Sequence, residues 1–296
     1  MTSTVLDVAL CLLLVSAAAA TLVTVPDGES ERTADARTGG RANAVATTLT
    51  TSTTTVNYSL EPGAARADDR LVSFPTTSGP EFERSSHGTY AGLLADAAVG
   101  GLSVDGEPLT HADDGFRDAI RTRTESDVAH DGVQLLVRWE PYRGAHLRGC
   151  VTAGPSPPSD ATVHAATVTV PSGLAATRDD ARVAATESGF AGVASVVAAN
   201  VVEGLFPADD LRFALRGDYP VSHLARYRYL RAGERYGVAV VDDDGTVVPA
   251  EANERLTAAV ADAVERDLER SFETPSEAAA SVRVAEVQVV VRTWSV

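Results

Sequence analysis

Apolar positions recur along this chain with more than one period, and each change of period marks a predicted element. Val8 to Val25 is an unbroken run of eighteen uncharged residues. As a helix it reaches about 27 Å, close to the thickness of a bilayer core. Three readings fit it: a membrane anchor over residues 1–25, a cleaved secretory signal ending near Ala17-Ala18-Ala19, and a buried core helix. The segment before it, MTSTVLD, carries no basic residue, which disfavours the signal. Residues 26–66 then turn polar and predict a helix-poor stalk, broken by Pro26, Gly28, Gly39 and Gly40. Within it, eight of the nine residues Thr47 to Thr55 carry a hydroxyl, a composition that favours extended chain.

Helical spacing appears at His87 to Gly100, with Tyr90, Leu93, Leu94, Ala97 and Ala98 on one face, and at His111 to Asp127, with Ala112, Phe116 and Ile120 inward. A short strand is expected near Leu71 to Phe74. From Val133 the period drops to two: Gln134 to Trp139, Leu147 to Ala153 and Ala161 to Val170 predict an antiparallel sheet. Pro171-Ser172-Gly173 returns the pattern to 3.6 and predicts a long helix to about Leu205, with Phe190, Val193, Val197 and Val201 inward. Its uncharged stretch, Gly189 to Val202, is too short to span a membrane. A short helix after Pro207, an aromatic-rich segment over Tyr219 to Arg231, and a hairpin over Glu234 to Pro249 turning at Asp244-Gly245 follow. Ala250 to Phe272 is amphipathic, with Leu256, Val260, Val264 and Leu268 in one row, and Val284 to Trp294 is a terminal strand that must pair with an earlier one. The fold class is α+β: an N-terminal transmembrane helix followed by an antiparallel sheet packed with several helices. The globular domain spans 67–296, with two halves meeting near 171–173.

Composition changes the picture in one respect. The 41 acidic residues face 25 basic ones, all of them Arg, for a net charge of −16 over 296 residues. That acidity, with no Lys and a single Ile, is the composition expected of proteins from salt-loving archaea, where salt screens self-repulsion. It also excludes nucleic acid as a partner unless a local basic patch forms, and no basic run is visible in the sequence.

Candidate chemistry is sparse. Cys11 and Cys150 lie in the apolar run and the sheet region, so they do not form a stabilising bridge, and Cys150 is expected as a small buried residue. The six histidines are scattered singly, with no HExxH or CxxC. His111-Ala112-Asp113-Asp114 and Asp127 to Asp131 gather ligand-type residues at helix ends, where capping explains acids equally well. Asp242-Asp243-Asp244-Gly245 lacks EF-hand spacing. No metal, cofactor or catalytic residue is therefore expected. Asn57-Tyr58-Ser59 is an N-glycosylation acceptor pattern, usable only outside the membrane.

His87-Gly88-Thr89-Tyr90 with Leu94 to Ala98, the segment Arg138 to Ala145, and Val163 to Gly173 resemble a haloarchaeal family of unknown function with one N-terminal hydrophobic segment. The resemblance implies an association with type IV pilus-like or secretion machinery, and so a pilin-like or accessory role. Asp7 before the apolar run fits a pilin-like helix, whereas the missing basic-Gly processing site and the breaks at Pro26 and Gly28 argue against a major filament subunit. The expected protein is a membrane-anchored cell-envelope component, non-catalytic, held through residues 8–25 with its bulk outside the cell and pilus-like or secretion proteins as partners. The alternative is a membrane-tethered extracytoplasmic enzyme, with His87, His164 or Asp127 as candidates.

Overall fold

The structure is a computed structural model that describes residues 30–295, with side chains from residue 40 onward. The expected membrane span at 8–25 and Cys11 lie outside the described residues. A compact unit runs from Thr38 to Val296. Its fold is α+β, with a six-stranded antiparallel sheet packed against helices.

The first elements differ from the polar stalk expected over 26–66. Ser30–Thr51 is a helix, α1, followed by strand β1 (Thr53–Ser59) and a short helix α2 (Glu61–Arg66). Ala42, Ala46 and Leu49 recur at helical spacing and are buried, as is Val56, so residues 42–66 belong to the core-forming unit. The Thr tract divides: Thr47 to Thr51 end α1, held by the burial of its Ala42, Ala46 and Leu49 face, with Thr47 and Thr48 hydroxyls bonded back to Asn43 and Ala44, and Thr53 to Thr55 are extended in β1 as expected. β1 pairs antiparallel with β2 (Glu83–Thr89), from Thr53 opposite Thr89 to Ser59 opposite Glu83. The helix expected from His87 accordingly starts three residues later. Thr89 caps α3 (Tyr90–Gly100) by accepting from the Gly92 N–H at 3.1 Å. The short strand expected near Leu71 is absent; Leu71 and Val72 donate their N–H groups to the Asp68 carbonyl in a turn.

The main sheet contains β3 (Leu102–Val104), β4 (Glu107–Pro108), β5 (Val133–Trp139), β6 (Leu147–Ala153), β7 (His164–Pro171) and β8 (Glu286–Thr293), in the order β4-β3-β6-β5-β8-β7. The terminal strand pairs as its pattern requires, and it does so in the interior of the sheet, between β5 and β7. Register puts Leu135, Val137 and Trp139 beside Ala153, Val151 and Gly149 on one side and Val291, Val289 and Val287 on the other. This inner face is buried. Trp139, fully buried, donates its indole N–H to the Val284 carbonyl at 2.8 Å. α3 lies on this face, and its Ala-rich side approaches so closely that a Cβ on Gly149 would overlap the Ala98 carbonyl oxygen. α4 (Asp114–Asp127) packs on β1, where Gly115 meets the Ser59 carbonyl in the same way.

Past β7 the chain is helical: α5 (Arg178–Leu205), α6 (Ala208–Arg216), α7 (Val221–Tyr236), α8 (Pro249–Ser271) and α9 (Pro275–Ser281). Gly189, at φ 63°, breaks α5 into two segments. Val193, Val197 and Val201 of its second segment share the core with Leu256, Val260 and Val264 of α8. The hairpin expected over Glu234 to Pro249 is not formed. Glu234 to Tyr236 complete α7, Gly237 terminates it at φ 66°, and Val240 and Val247 bury in the core instead of pairing. Only the turn survives, with Asp242 N–H donating to the Thr246 carbonyl at 3.0 Å. The period change at 171–173 is a connector rather than a division: Ser172 Oγ donates to the Val284 carbonyl at 2.8 Å, pinning it to the start of β8.

Candidate functional site

Alternation along the strands leaves the second face of the sheet without a helical cover among the described residues; it is most open around Arg138, Cys150 and Thr152, whereas at its other end Gln134 is buried and donates to Ser156 Oγ at 3.3 Å, under the segment that follows β6. Register sorts its side chains into rows across the strands. Cys150, Arg138, Gln288 and Thr169 form one row; Thr152, Leu136, Val290 and Thr167 form the next; Gln134, Arg292 and Ala165 form a third. Arg148 stands beside Ser103 beyond the first row. Three arginines from three different strands thus share this face of a chain carrying −16. The acid on the same face, Glu286, is paired with Arg178 at 3.1 Å. Arg138 lies 3.3 Å from the buried Glu140, which also receives Arg283, and Arg292 donates to Gln134 at 3.0 Å. Burial and the neighbouring Arg138 lower the Arg283 pKa.

Beside this face runs β7, which lies at the edge of the sheet among the described residues and pairs with β8. Its sequence, HAATVTVP, contains no acidic or arginine residue. Natural edge strands are commonly guarded by charge, bulges or cover, so an eight-residue uncharged edge is suited to contact with another polypeptide.

A second cluster occupies a cavity of about 220 Å³ between β3, the β5–β6 connection, α7 and α8. The Asp267 carboxylate is 3% exposed and accepts from the Tyr142 hydroxyl at 2.6 Å and the His146 N–H at 3.3 Å. The His146 ring has Nδ1 against Asp105 and Nε2 3.2 Å from Asp267, and Arg235 lies 2.8 Å from Asp105. Burial, reinforced by the Asp267 carboxylate, raises the Tyr142 pKa far above the usual tyrosine value, so its hydroxyl stays a donor. Burial also lifts Tyr236, on the cavity wall, to about 12. Tyr142, His146, Asp105, Arg235 and Asp267 bind mainly one another, linking four segments of the fold.

The structure separates the candidates suggested by sequence. His87 on β2 bonds Thr55 Oγ1 at 3.0 Å, Asp127 at the end of α4 holds Tyr90 and Arg123, and His164 begins β7. In the His111 cluster, Asp114 is buried against Arg66, His111 at 3.0 Å and Arg117 at 3.3 Å, an ion-pair network around a helix start. The Asp242 carboxylate accepts from the Thr246 N–H at 2.7 Å within its turn. Among the described residues no group of three or more His, Cys, Asp or Glu is placed to hold a metal ion. Asn57 is exposed on β1, opposite Ser85. Cys150 is exposed, contrary to expectation, because its position in β6 points it to the uncovered face. The stretch Arg178–Arg216 is long and apolar enough to cross a membrane by composition, yet it is broken at Gly189 and partly buried in the core.

Sequence reasoning missed Asp267, whose signal was its place on the apolar side of α8 between Val264 and Leu268. It also missed the cationic sheet face, since Arg138, Arg148 and Arg292 are gathered only by register. No curated protein and no solved structure matches the chain. Residues 6–294 match the model of a family described as a family of unknown function (DUF7284), and the chain belongs to that family.

Proposed function

We propose that this protein is a non-catalytic binding or assembly component of a halophilic cell envelope, anchored through residues 8–25, with its globular unit outside the cell and pilus-like or secretion proteins as its setting. The observation that carries the binding role is the uncovered sheet face, with arginines flanking Leu136 and Val290 beside an uncharged edge strand. An apolar centre with arginine at its margin is the composition of protein interfaces. Nucleic acid fits the face less well, because it presents no aromatic ring for base stacking and the rest of the chain is strongly acidic. The exposed Asn57 is compatible with an external location.

Pull-down from native membranes at high salt tests this role. Wild type recovers envelope proteins, and an Arg138→Glu/Arg292→Glu variant loses them; equal recovery by both overturns the assignment to this face. Protease treatment of intact cells tests location, and protection of the globular unit contradicts an external one. A tethered enzyme is the second reading, favoured by the cavity that gathers Asp105, His146 and Asp267. It is weaker because those groups bind one another, and it predicts that His146→Ala abolishes cellular function without affecting the pull-down.

A further inference from the structure

The sheet face has a counterpart elsewhere on the same chain. In the first segment of α5, Asp179, Val183 and Glu187 follow one another at four-residue intervals and therefore lie in one row along the helix. All three are exposed: Val183 is 58% exposed, and the Asp179 side chain is 93% exposed. Among the described residues Val183 is not part of the hydrophobic core, and of the two carboxylates that flank it, Asp179 is held by Arg182 at 2.9 Å, an exposed pair that a second copy's arginine would have to share or displace.

On the sheet, the order is reversed in charge. The Arg138 row lies on one side of the Leu136–Val290 row, and the Arg292 row lies on the other. The two arginine rows are four residues apart along the strands, about 13 Å at 3.3 Å per residue. Asp179 and Glu187 are eight residues apart on a helix, about 12 Å at 1.5 Å per residue. Acid, valine and acid thus match arginine, apolar pair and arginine in both order and spacing.

We propose that the open sheet face of one copy receives the first segment of α5 from a second copy. The second copy's Val183 sits over Leu136 and Val290, and its Asp179 and Glu187 meet the two arginine rows. This inference rests on the sheet face being the binding surface and names its occupant. Donor and acceptor are different surfaces, so the contact is head-to-tail and leaves one of each free to continue the assembly. The −16 charge of each copy opposes association at low salt, while at about 1 M salt the Debye length falls to about 3 Å and only contacting charges still act.

The test is the concentration dependence of mass, by light scattering and sedimentation, for the full-length chain in mild detergent at about 1 M KCl. Wild type is expected to associate. Arg138→Glu/Arg292→Glu, Asp179→Arg/Glu187→Arg and, independently, Val183→Glu each weaken association about tenfold or more, as loss of contacts at the centre of an interface does. An equimolar mixture of the two double variants associates again, because each supplies the surface the other lacks. A chain that stays monomeric at every concentration, or a mixture that stays dissociated, overturns the inference. If the chain is monomeric while Arg138→Glu/Arg292→Glu still abolishes the native-membrane pull-down, the sheet face remains the binding surface and only the second copy is rejected.

Discussion

Replacing Tyr142 by Phe removes one hydroxyl from a site where its loss is measurable. Tyr142 is 2% exposed and Asp267 is 3% exposed, with 2.6 Å between hydroxyl and carboxylate oxygen. Without the hydroxyl, Asp267 Oδ2 keeps only the longer bond from the His146 N–H at 3.3 Å. A hydrogen bond to a charged group contributes about 1.5–3 kcal/mol, and an unsatisfied buried acceptor raises the cost toward the upper end. For a unit of this size, a loss of about 2 kcal/mol lowers Tm by about 4–8 °C. The pairwise share comes from a cycle with Asp267→Asn, whose coupling is expected at about 1.5–3 kcal/mol. The pH dependence has a definite sign. The Tyr142 pKa is raised in the folded state, so its contribution is complete below the unfolded tyrosine value of about 10 and shrinks as pH rises above it, where the unfolded chain releases a proton that the folded chain retains. Thermal melts followed by circular dichroism between pH 7 and pH 11 read both effects. A Tyr142→Phe melt within about 1 °C of wild type, or a difference that grows above pH 10, refutes the reasoning.

Other outcomes follow from single contacts. Gly149→Ala, which drives a Cβ into the Ala98 carbonyl, is expected to destabilise by about 2–4 kcal/mol, and an unchanged melting temperature contradicts the close packing of α3 on the sheet. Asp68 is held at a pKa of about 2, first by the side-chain hydrogen bond from Arg70. Its stabilising effect is present above the ordinary aspartate value and lost as pH falls through about 2; Arg70→Ala raises its NMR titration midpoint but leaves it below the ordinary value, because the backbone N–H of residue 70 still donates to Asp68 Oδ1 at 2.9 Å. Arg283→Met leaves the buried Glu140 carboxylate with Arg138 at 3.3 Å as its remaining cation and is expected to cost about 2–3 kcal/mol, whereas Arg283→Met/Glu140→Leu recovers most of it; equal melts for the two variants oppose this.

Periodicity located most of the sheet and helices because it records which side of an element is buried. β6 and β8 alternate cleanly, and α8 carries Leu256, Val260, Val264 and Leu268 in one row. It failed where local patterns compete with tertiary packing. Val240 and Val247 look like hairpin arms, yet the core claims both. The Thr tract looks extended and is so from Thr53, yet the burial of Ala42, Ala46 and Leu49 carries the helix through Thr51. The candidate surface was hidden for a different reason. Arg138, Arg148 and Arg292 are far apart in the chain, and only strand order and register bring them onto one face. Cys150 was misplaced by the same omission: being in a strand says that a residue is buried or exposed only once the face is known.

That cysteine supplies the most direct test of the central claim, that the uncovered sheet face is where this protein binds. In a Cys11→Ser background, Cys150 stands on that face beside Arg138. The measurement is its rate of maleimide labelling in intact native membranes, compared with the same protein after extraction and dilution to monomer. An occupied face predicts labelling about tenfold slower or more in the membranes, since the thiol must then wait for the contact to open. Equal rates in the two states contradict the account.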